Sequence, residues 1–188
     1  MPEQPRIDTE RLLLRLATQD DVETILGYVR QNRTHLAPFE PDHPEAYYTE
    51  GFWRSRVEQD REDHEQDVSC RLWMFLREQP DHAIASVNFT GFVRGIAQLC
   101  TLGYSIAAEH EGRGYMTEGV GPAIGYVFEH LNLHRIIAGY MPHNRRSGDL
   151  LRRLGFVVEG YSRDFLLIHG HWEDHIQTAL VNPRWRPV

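Results

Sequence analysis

Two neighbouring segments, Leu102-Gly103-Tyr104-Ser105-Ile106 and Glu111-Gly112-Arg113-Gly114-Tyr115-Met116-Thr117, organise the middle of this 188-residue chain. The first is typical of a β-strand, and the second is a glycine-rich loop. Apolar residues at helical spacing follow the loop: Val120, Ile124, Val127, Phe128 and Leu131. The pattern predicts a strand, a loop and a helix. Backbone amides at the start of that helix would face any anion that the glycines allow to approach.

The glycine loop differs from the common nucleotide-binding motifs. It lacks the GxxxxGK[ST] spacing of a P-loop, and it is one glycine short of GxGxxG. A plain tight turn between a strand and a helix is the alternative interpretation. Arg113 inside the loop and the strand ahead of it favour a phosphate site.

Alternation and helical spacing predict the elements before this unit. The predicted elements are a strand over Arg11–Leu16, a helix after the Thr18–Asp21 capping box, a helix between Pro44 and Arg61, and strands over Cys70–Arg77, Ile84–Val93 and Ile96–Ile106. The turn signal Gln79-Pro80-Asp81 joins two of these strands as a hairpin.

The sequence after the unit predicts a strand, a short helix and a closing hairpin. These elements are the strand Arg135–Tyr140, a helix with Leu150, Leu151 and Leu154 inward and Gly155 at its end, and the strands Phe156–Ile168 and His171–Val181. The order predicts an α+β fold with about seven strands covered by helices. We expect a single domain over residues 9–183, with short terminal extensions at 1–8 and 184–188.

Composition and charge exclude several classes of protein. The chain is 41% hydrophobic and 25% charged, as in globular proteins. Its formal net charge of -7 argues against general affinity for nucleic acid or an anionic membrane. No run approaches the roughly 18 apolar residues of a membrane span, and we expect a cytoplasmic protein. Cys70 and Cys100 each lie in an apolar run, which predicts buried thiols rather than a disulfide or redox pair.

Much of the negative charge comes from one stretch that follows the second predicted helix. Its six acidic residues, against Arg61 alone, are Glu58, Asp60, Glu62, Asp63, Glu65 and Asp67. A solvated helix end is the simpler interpretation. The alternative hypothesis is that the stretch attracts the basic tail of a partner protein.

The central strand and loop resemble those of the GCN5-related N-acetyltransferases, the GNAT family. The later segments Asn144-Arg145-Arg146-Ser147 and Leu154-Gly155-Phe156 extend the resemblance, which runs from about Thr9 to Pro183. The family loop is Gln/Arg-x-x-Gly-x-Gly/Ala, and this chain departs from it at Glu111 and Met116. The resemblance implies a mixed, mostly antiparallel sheet with a splayed cleft for coenzyme A.

Within the family, the C-terminal half is similar to enzymes that acetylate the N-terminal alanine of a small-subunit ribosomal protein. The resemblance implies acetyl-CoA as cosubstrate and a ribosomal protein as acceptor, and we expect a monomer or a homodimer. The residues implied to bind the coenzyme are Tyr104, Ser105, Ile106, Glu111, Gly112, Arg113, Gly114, Tyr115, Met116, Thr117, Asn144, Arg146 and Ser147. Acetylation of another terminus or a small amine, and a ribosome-binding assembly factor with incidental catalysis, are the alternatives.

Acetyl transfer to an amine needs a neutral amine, oxyanion stabilisation and a proton for the thiolate. By resemblance, Ser147 lies at the thioester sulfur; a helix cap is its alternative role. Glu118 and Asp164 are the candidate bases, and structural alternatives are a helix N-terminus for the first and pairing with Arg163 for the second. Some relatives have a glutamate two residues after Asp164, where this chain has Leu166.

The eleven histidines raise the question of a metal site. His130 and His134 lie four residues apart on a predicted helix, and His169, His171 and His175 cluster near the closing hairpin. No third ligand follows a recognised spacing, so we predict no metal.

Overall fold

The computed structural model describes residues 4–187 of the chain. Its strands are β1 (Arg6–Asp8), β2 (Leu12–Arg15), β3 (Cys70–Leu76), β4 (Gln79–Val93), β5 (Leu99–Ile106), β6 (Arg135–Tyr140), β7 (Val157–Ile168) and β8 (His171–Val181). Its helices are α1 (Val22–Gln31), α2 (Arg33–Leu36), α3 (Glu50–Glu65), α4 (Tyr115–Glu129) and α5 (Arg145–Arg153). The strands form one sheet in the order β1-β2-β3-β4-β5-β6-β8-β7.

The sheet is antiparallel except where β5 meets β6. These two parallel strands pair only over Leu99–Thr101 and Arg135–Ile137. β5 continues to Ile106 and β6 to Tyr140, and the described residues beyond the paired segments share no ladder. The strands therefore part in the middle of the sheet, which confirms the splayed cleft that the family resemblance implies.

Helices cover both faces of the sheet and enclose two hydrophobic cores. On one face α4 and α5 pack over alternate residues of the central strands, among them Leu102, Tyr104 and Ala138. On the other face α1 and α3 pack over a second cluster that includes Tyr28 and Trp73. Because side chains alternate along a strand, Tyr104 and Ser105 of β5 project to opposite faces. The parted strands are thus reached by side chains from two sides.

Several predicted elements are confirmed. Leu12, Leu14 and Leu16 are buried along one face, as the alternation predicts. The amide of Thr18 donates to the Asp21 carboxylate at 2.7 Å, and the Thr18 hydroxyl lies 2.8 Å from the same oxygen. The bounds of β6 are those predicted, and the closing hairpin forms between β7 and β8.

Three strand predictions need correction. The sheet has eight strands rather than about seven, because Arg6–Asp8 pairs with β2 ahead of the predicted domain start. The turn between β3 and β4 lies at residues 77–78, and the predicted turn Gln79-Pro80-Asp81 lies inside β4. Register shifts at the end of β3 accommodate this longer β4. β5 begins at Leu99, three residues after the predicted start, and the preceding Gln98 has a φ of 45°.

Both cysteines lie in the core and are free thiols. Burial raises the pKa of the Cys100 thiol to about 12, and it raises the pKa of Cys70 well above its usual range. Neither thiol is therefore a ready nucleophile. No helix within residues 4–187 has the length and apolar character that crossing a membrane requires.

Candidate active site

A cleft of about 1050 Å³ opens where β5 and β6 part. Its floor is formed by residues 101–105 of β5 and by Ile137, Gly139, Tyr140 and Met141 of β6 and its continuation. Its walls come from α1, α3 and the loop between α2 and α3, and from β7 and β8. Aromatic rings line much of it, including Tyr47, Trp53 and Phe165. A concave, mainly apolar site with a few polar groups is typical of ligand binding.

The glycine loop precedes α4 as predicted. Gly112 and Gly114 have φ values of 72° and 82°, in the left-handed region that glycine adopts without strain. Gly114 is the N-cap of α4, so the first amides of that helix have no intrahelical partner. These amides, the helix dipole and the exposed Arg113 fit a phosphate anion.

Glu118 anchors this loop and does not line the cleft. Its carboxylate accepts hydrogen bonds from the Thr9 hydroxyl at 2.6 Å and the Arg11 amide at 2.8 Å, and it forms an ion pair with the Arg11 guanidinium. Arg11 in turn donates to the carbonyl oxygen of Arg113 at 3.1 Å. Burial alone would raise the pKa of Glu118, but these hydrogen bonds outweigh it and lower the pKa. A carboxylate engaged in this way is poorly placed to take a proton from a substrate.

The two departures from the family loop have different surroundings. Glu111 forms an ion pair with Arg146 at the start of α5, and its carboxylate also lies 3.5 Å from His35 Nε2. Met116 packs against the larger core. Arg146, implied to bind the coenzyme, is thus paired with Glu111, and both Arg146 and the neighbouring Arg145 are exposed.

Ser147 faces a partner that the sequence analysis did not assign to it. Its hydroxyl lies 2.8 Å from the phenolic hydroxyl of Tyr104. The side chain of Asn144, rather than that of Ser147, caps α5: its Oδ1 accepts the amide of Ser147 at 3.2 Å. The Ser147 hydroxyl therefore stays available at the cleft, where Asn144, Tyr104 and Ser147 all lie.

On the opposite face of β5, Ser105 joins a short chain of hydroxyl groups. Its Oγ lies 2.9 Å from the Tyr28 hydroxyl and 3.1 Å from Ser86 Oγ. These groups also line the cleft, whereas Ile106 packs against the core beneath α4. The parting strands thus carry hydroxyl groups on both faces.

Asp164 lies outside the residues that line the cleft. It sits in a register shift of β7 with a φ of 46°, and its amide donates to the Asp174 carboxylate at 2.8 Å. The following residues Phe165 and Leu166 line the cleft instead. The irregular strand therefore brings apolar side chains to this wall and leaves the carboxylate exposed.

Glu40 and His175 are titratable side chains of the cleft to which the sequence analysis assigned no part in proton transfer. Glu40, in the loop after α2, lies 3.5 Å from His43, and burial raises its pKa above the ordinary value. His175 of β8 is 5% exposed. The spacing of two residues shows that His175 and Gln177 lie on the same face of β8. Only the register between β6 and β8 shows that this face meets the cleft.

The acidic stretch is largely paired with arginines. Asp60 is buried against Arg56 and Arg71, and Asp67 pairs with Arg94. Glu58 and Glu65 both pair with Arg61. Much of the negative charge counted over residues 58–67 is thus neutralised by arginines from outside the stretch, which weakens the hypothesis that it attracts a basic tail.

The histidines considered as metal ligands contact other groups. His130 stacks on Tyr126, and His134 contacts the ring of Trp185. His169 lies 3.0 Å from Asp42. Over residues 4–187, no group of three or more His, Cys, Asp or Glu side chains is arranged to hold a metal ion.

Comparison with known proteins matches this architecture to one family. A family profile described as acetyltransferase (GNAT) domain matches residues 11–157. The [ribosomal protein uS5]-alanine N-acetyltransferase of Escherichia coli is 42% identical over 182 residues, which cover 97% of this chain and 93% of that protein. The probable N-acetyltransferase YjcK of Bacillus subtilis is 36% identical over 87% of this chain and 90% of its own length.

Solved structures agree in fold. The ribosomal-protein-S5-alanine acetyltransferase of Vibrio fischeri has a TM-score of 0.93 at 35% identity, covering 97% of this chain and all of that one. Mycobacterium smegmatis RimJ in complex with CoA-disulfide has a TM-score of 0.87 at 21% identity, covering 96% of this chain and 88% of that one. With its parted strands, glycine loop and capped α5, the chain belongs to the GNAT acetyltransferase family.

Proposed function

We propose that this protein transfers the acetyl group of acetyl-CoA to the N-terminal α-amine of a ribosomal protein, an alanine terminus as in uS5. The observation that carries the proposal is the Ser147 hydroxyl, held by Tyr104 at the parting of β5 and β6. The 42% identity with the Escherichia coli enzyme over nearly the whole chain supports the choice of acceptor.

Each part of the site has a role in this proposal. The amides at the start of α4 bind the pyrophosphate of acetyl-CoA, with Gly112 and Gly114 allowing its close approach. The pantetheine arm lies between the parted strands beside Asn144. Backbone amides of residues 104–106 on β5 stabilise the oxyanion, and Ser147 gives a proton to the departing thiolate.

The acceptor attacks the thioester directly. An α-amine with a pKa of about 7.7–8.0 is already partly neutral near pH 7, so its activation needs only a modest base. The two thiols lie buried in the core and do not line the cleft, so no acetyl-cysteine intermediate is needed. A burst of acetylated enzyme on mixing with acetyl-CoA alone would contradict this route.

The partner and location belong to the same proposal. The acceptor is a ribosomal protein, free or on the ribosome, and the enzyme acts in the cytoplasm, where ribosomal proteins are made. The cleft wall formed by α1, α3 and the loop between α2 and α3 would receive the N-terminal residues of the acceptor.

Mass spectrometry of acetylated peptides tests the proposal. The protein and acetyl-CoA are incubated with a peptide that carries the uS5 N-terminal sequence and an internal lysine. We expect a gain of one acetyl group at the α-amine. A matched peptide with a blocked N-terminus should gain none. Faster acetylation of the lysine, or of a small polyamine, than of the free N-terminus would contradict the proposed acceptor.

A further inference from the structure

The two carboxylates considered as bases, Glu118 and Asp164, are held elsewhere, and another titratable side chain lies inside the cleft. His175 lines it from β8 and is almost fully buried. Its ring makes an edge contact with Phe165, at a centroid distance of 5.6 Å. A buried imidazole fixed against a substrate cleft is a candidate for proton transfer.

Hydrogen bonding determines which ring nitrogen of His175 is free. Nδ1 lies 3.0 Å from the carbonyl oxygen of Glu173, so Nδ1 must carry the hydrogen and donate it. In the neutral ring, Nε2 then keeps its lone pair. Within the described chain Nε2 has no hydrogen-bond partner. It is also not one of the fully buried polar atoms that lack a partner, so it keeps some exposed surface. The tautomer therefore leaves an unpaired acceptor nitrogen on a side chain that lines the cleft.

The fold places the His175 side chain on the face of the sheet that α1 and α3 cover, where the acceptor would bind. Gly139 of β6 pairs with Gln177 of β8, so Gly139, Gln177 and His175 share one face. This is the face opposite to the one on which Tyr140 packs beneath α4 and α5. A Cβ at position 139 would lie 3.4 Å from Gln177 Oε1 and 3.5 Å from His175 Cδ2, so the glycine leaves room beside both side chains.

Glu40 is the competing group, and its contacts favour a different role. It lies in the loop after α2, where His43 and His35 both interact with its charge. A carboxylate there adds negative potential that attracts an ammonium group. His175, by contrast, extends from a strand hydrogen-bonded to β6 at the parting itself.

We propose that His175 is the general base that takes a proton from the acceptor amine through Nε2, directly or through one water. The inference rests on the proposed acetyl transfer and adds its missing base. Proton removal then takes place on the face of the sheet that α1 and α3 cover. Proton donation by Ser147 takes place on the face that α4 and α5 cover.

The proton balance of the step is complete. The ammonium loses one proton to His175, and the nitrogen lone pair forms a bond to the thioester carbon. The C–S bond breaks as the tetrahedral intermediate collapses, and the thiolate takes the Ser147 proton. The nitrogen loses its second proton, which returns to Ser147, and His175 releases its own proton to solvent. The products of the whole reaction are the amide, coenzyme A and one proton released to solvent.

His175→Asn tests the proposal with little change in shape. The asparagine amide replaces the Nδ1 hydrogen that binds the Glu173 carbonyl, but nothing replaces Nε2. We expect kcat to fall about 100-fold, at the low end for a general base, while the affinity for coenzyme A is unchanged. Free imidazole should raise the kcat of His175→Ala at least about tenfold. His171→Asn, on the exposed end of the same strand, is the matched control and should retain wild-type rates.

Three results would overturn the proposal. The first is a kcat for His175→Asn within about threefold of wild type. The second is a loss of rate that imidazole does not restore, which would make His175 a packing residue. The third is a loss confined to Glu40→Gln and restored by formate. Thermal unfolding is measured first, and His175→Gln replaces any variant that does not fold.

The same assays separate this inference from the proposed function. Failure of the wild type to acetylate the uS5 peptide contradicts the acceptor assignment. The role of His175 is judged from the ratio of variant to wild-type rates, with whichever amine the wild type acetylates.

Discussion

The phenolic hydroxyl of Tyr104 lies 2.8 Å from the hydroxyl of Ser147, which joins β5 to the first turn of α5. Burial raises the pKa of Tyr104 to about 12, so the phenol keeps its proton at neutral pH. Tyr104 is therefore placed to orient the Ser147 hydroxyl through a hydrogen bond while it keeps its own proton.

Tyr104→Phe should lower kcat about tenfold, because one hydrogen bond that supports the developing charge is lost. The KM for acetyl-CoA should change little, since the ring remains. Steady-state kinetics with varied acetyl-CoA measures both constants. An unchanged kcat would mean that the Ser147 hydroxyl acts without Tyr104.

Glu111→Gln should strengthen acetyl-CoA binding about fivefold at low salt, the equivalent of about 1 kcal/mol. The change removes a negative charge beside the phosphate loop and releases Arg146 from its ion pair. Calorimetry at two salt concentrations measures the effect, which should shrink as salt rises. Glu109→Gln, on the helical turn before the loop, controls for net charge. Weaker binding by Glu111→Gln would show that the ion pair orders the loop.

Gly148→Ala should lower both stability and kcat. A Cβ at this position would lie 2.6 Å from the Tyr140 ring, so α5 or the ring must move. Overpacking of this kind costs about 1–3 kcal/mol, and the shift would displace the adjacent Ser147. Urea unfolding and steady-state kinetics measure the two effects. Gly125→Ala, with open space around it in α4, should instead stabilise the protein by about 0.5–1 kcal/mol.

Asp21→Asn should lower the free energy of unfolding by about 2 kcal/mol at pH 7. Burial raises the pKa of Asp21, but hydrogen bonds from Arg15 and Thr18 outweigh it, so its folded pKa lies below the ordinary 3.8. Its contribution is complete above the unfolded pKa and is lost as pH falls through the folded value. Urea unfolding from pH 7 towards pH 3 should therefore show the difference from wild type shrinking. The exposed Asp20→Asn is the control, and a pH-independent deficit would contradict the linkage.

Local pattern was enough to predict most of the sheet and the glycine loop. The alternation of Leu12, Leu14 and Leu16 and the helical spacing in α1 arise because one face of each element is buried. β1 escaped prediction because Arg6–Asp8 is too short to show a period, and its pairing with β2 stabilises it.

The surroundings of the candidate catalytic residues were harder to predict because they depend on contacts between distant residues. Glu118 follows the loop directly in sequence, yet the fold brings Thr9 and Arg11 to its carboxylate. Asp164 is directed outward by a register shift that no residue pattern marks. His175 reaches the cleft only through the register of β8 against β6, and that register links segments about 40 residues apart.

The parting of β5 from β6 affects the order in which substrates bind and products leave. Tyr104 and Ser147 lie on one face of the opening, and Ser105 and Tyr28 lie on the other. Molecules that enter from opposite faces do not have to pass one another. We therefore expect that either substrate can bind first and either product can leave first. In product-inhibition experiments, the acetylated peptide should compete with the acceptor peptide but not with acetyl-CoA.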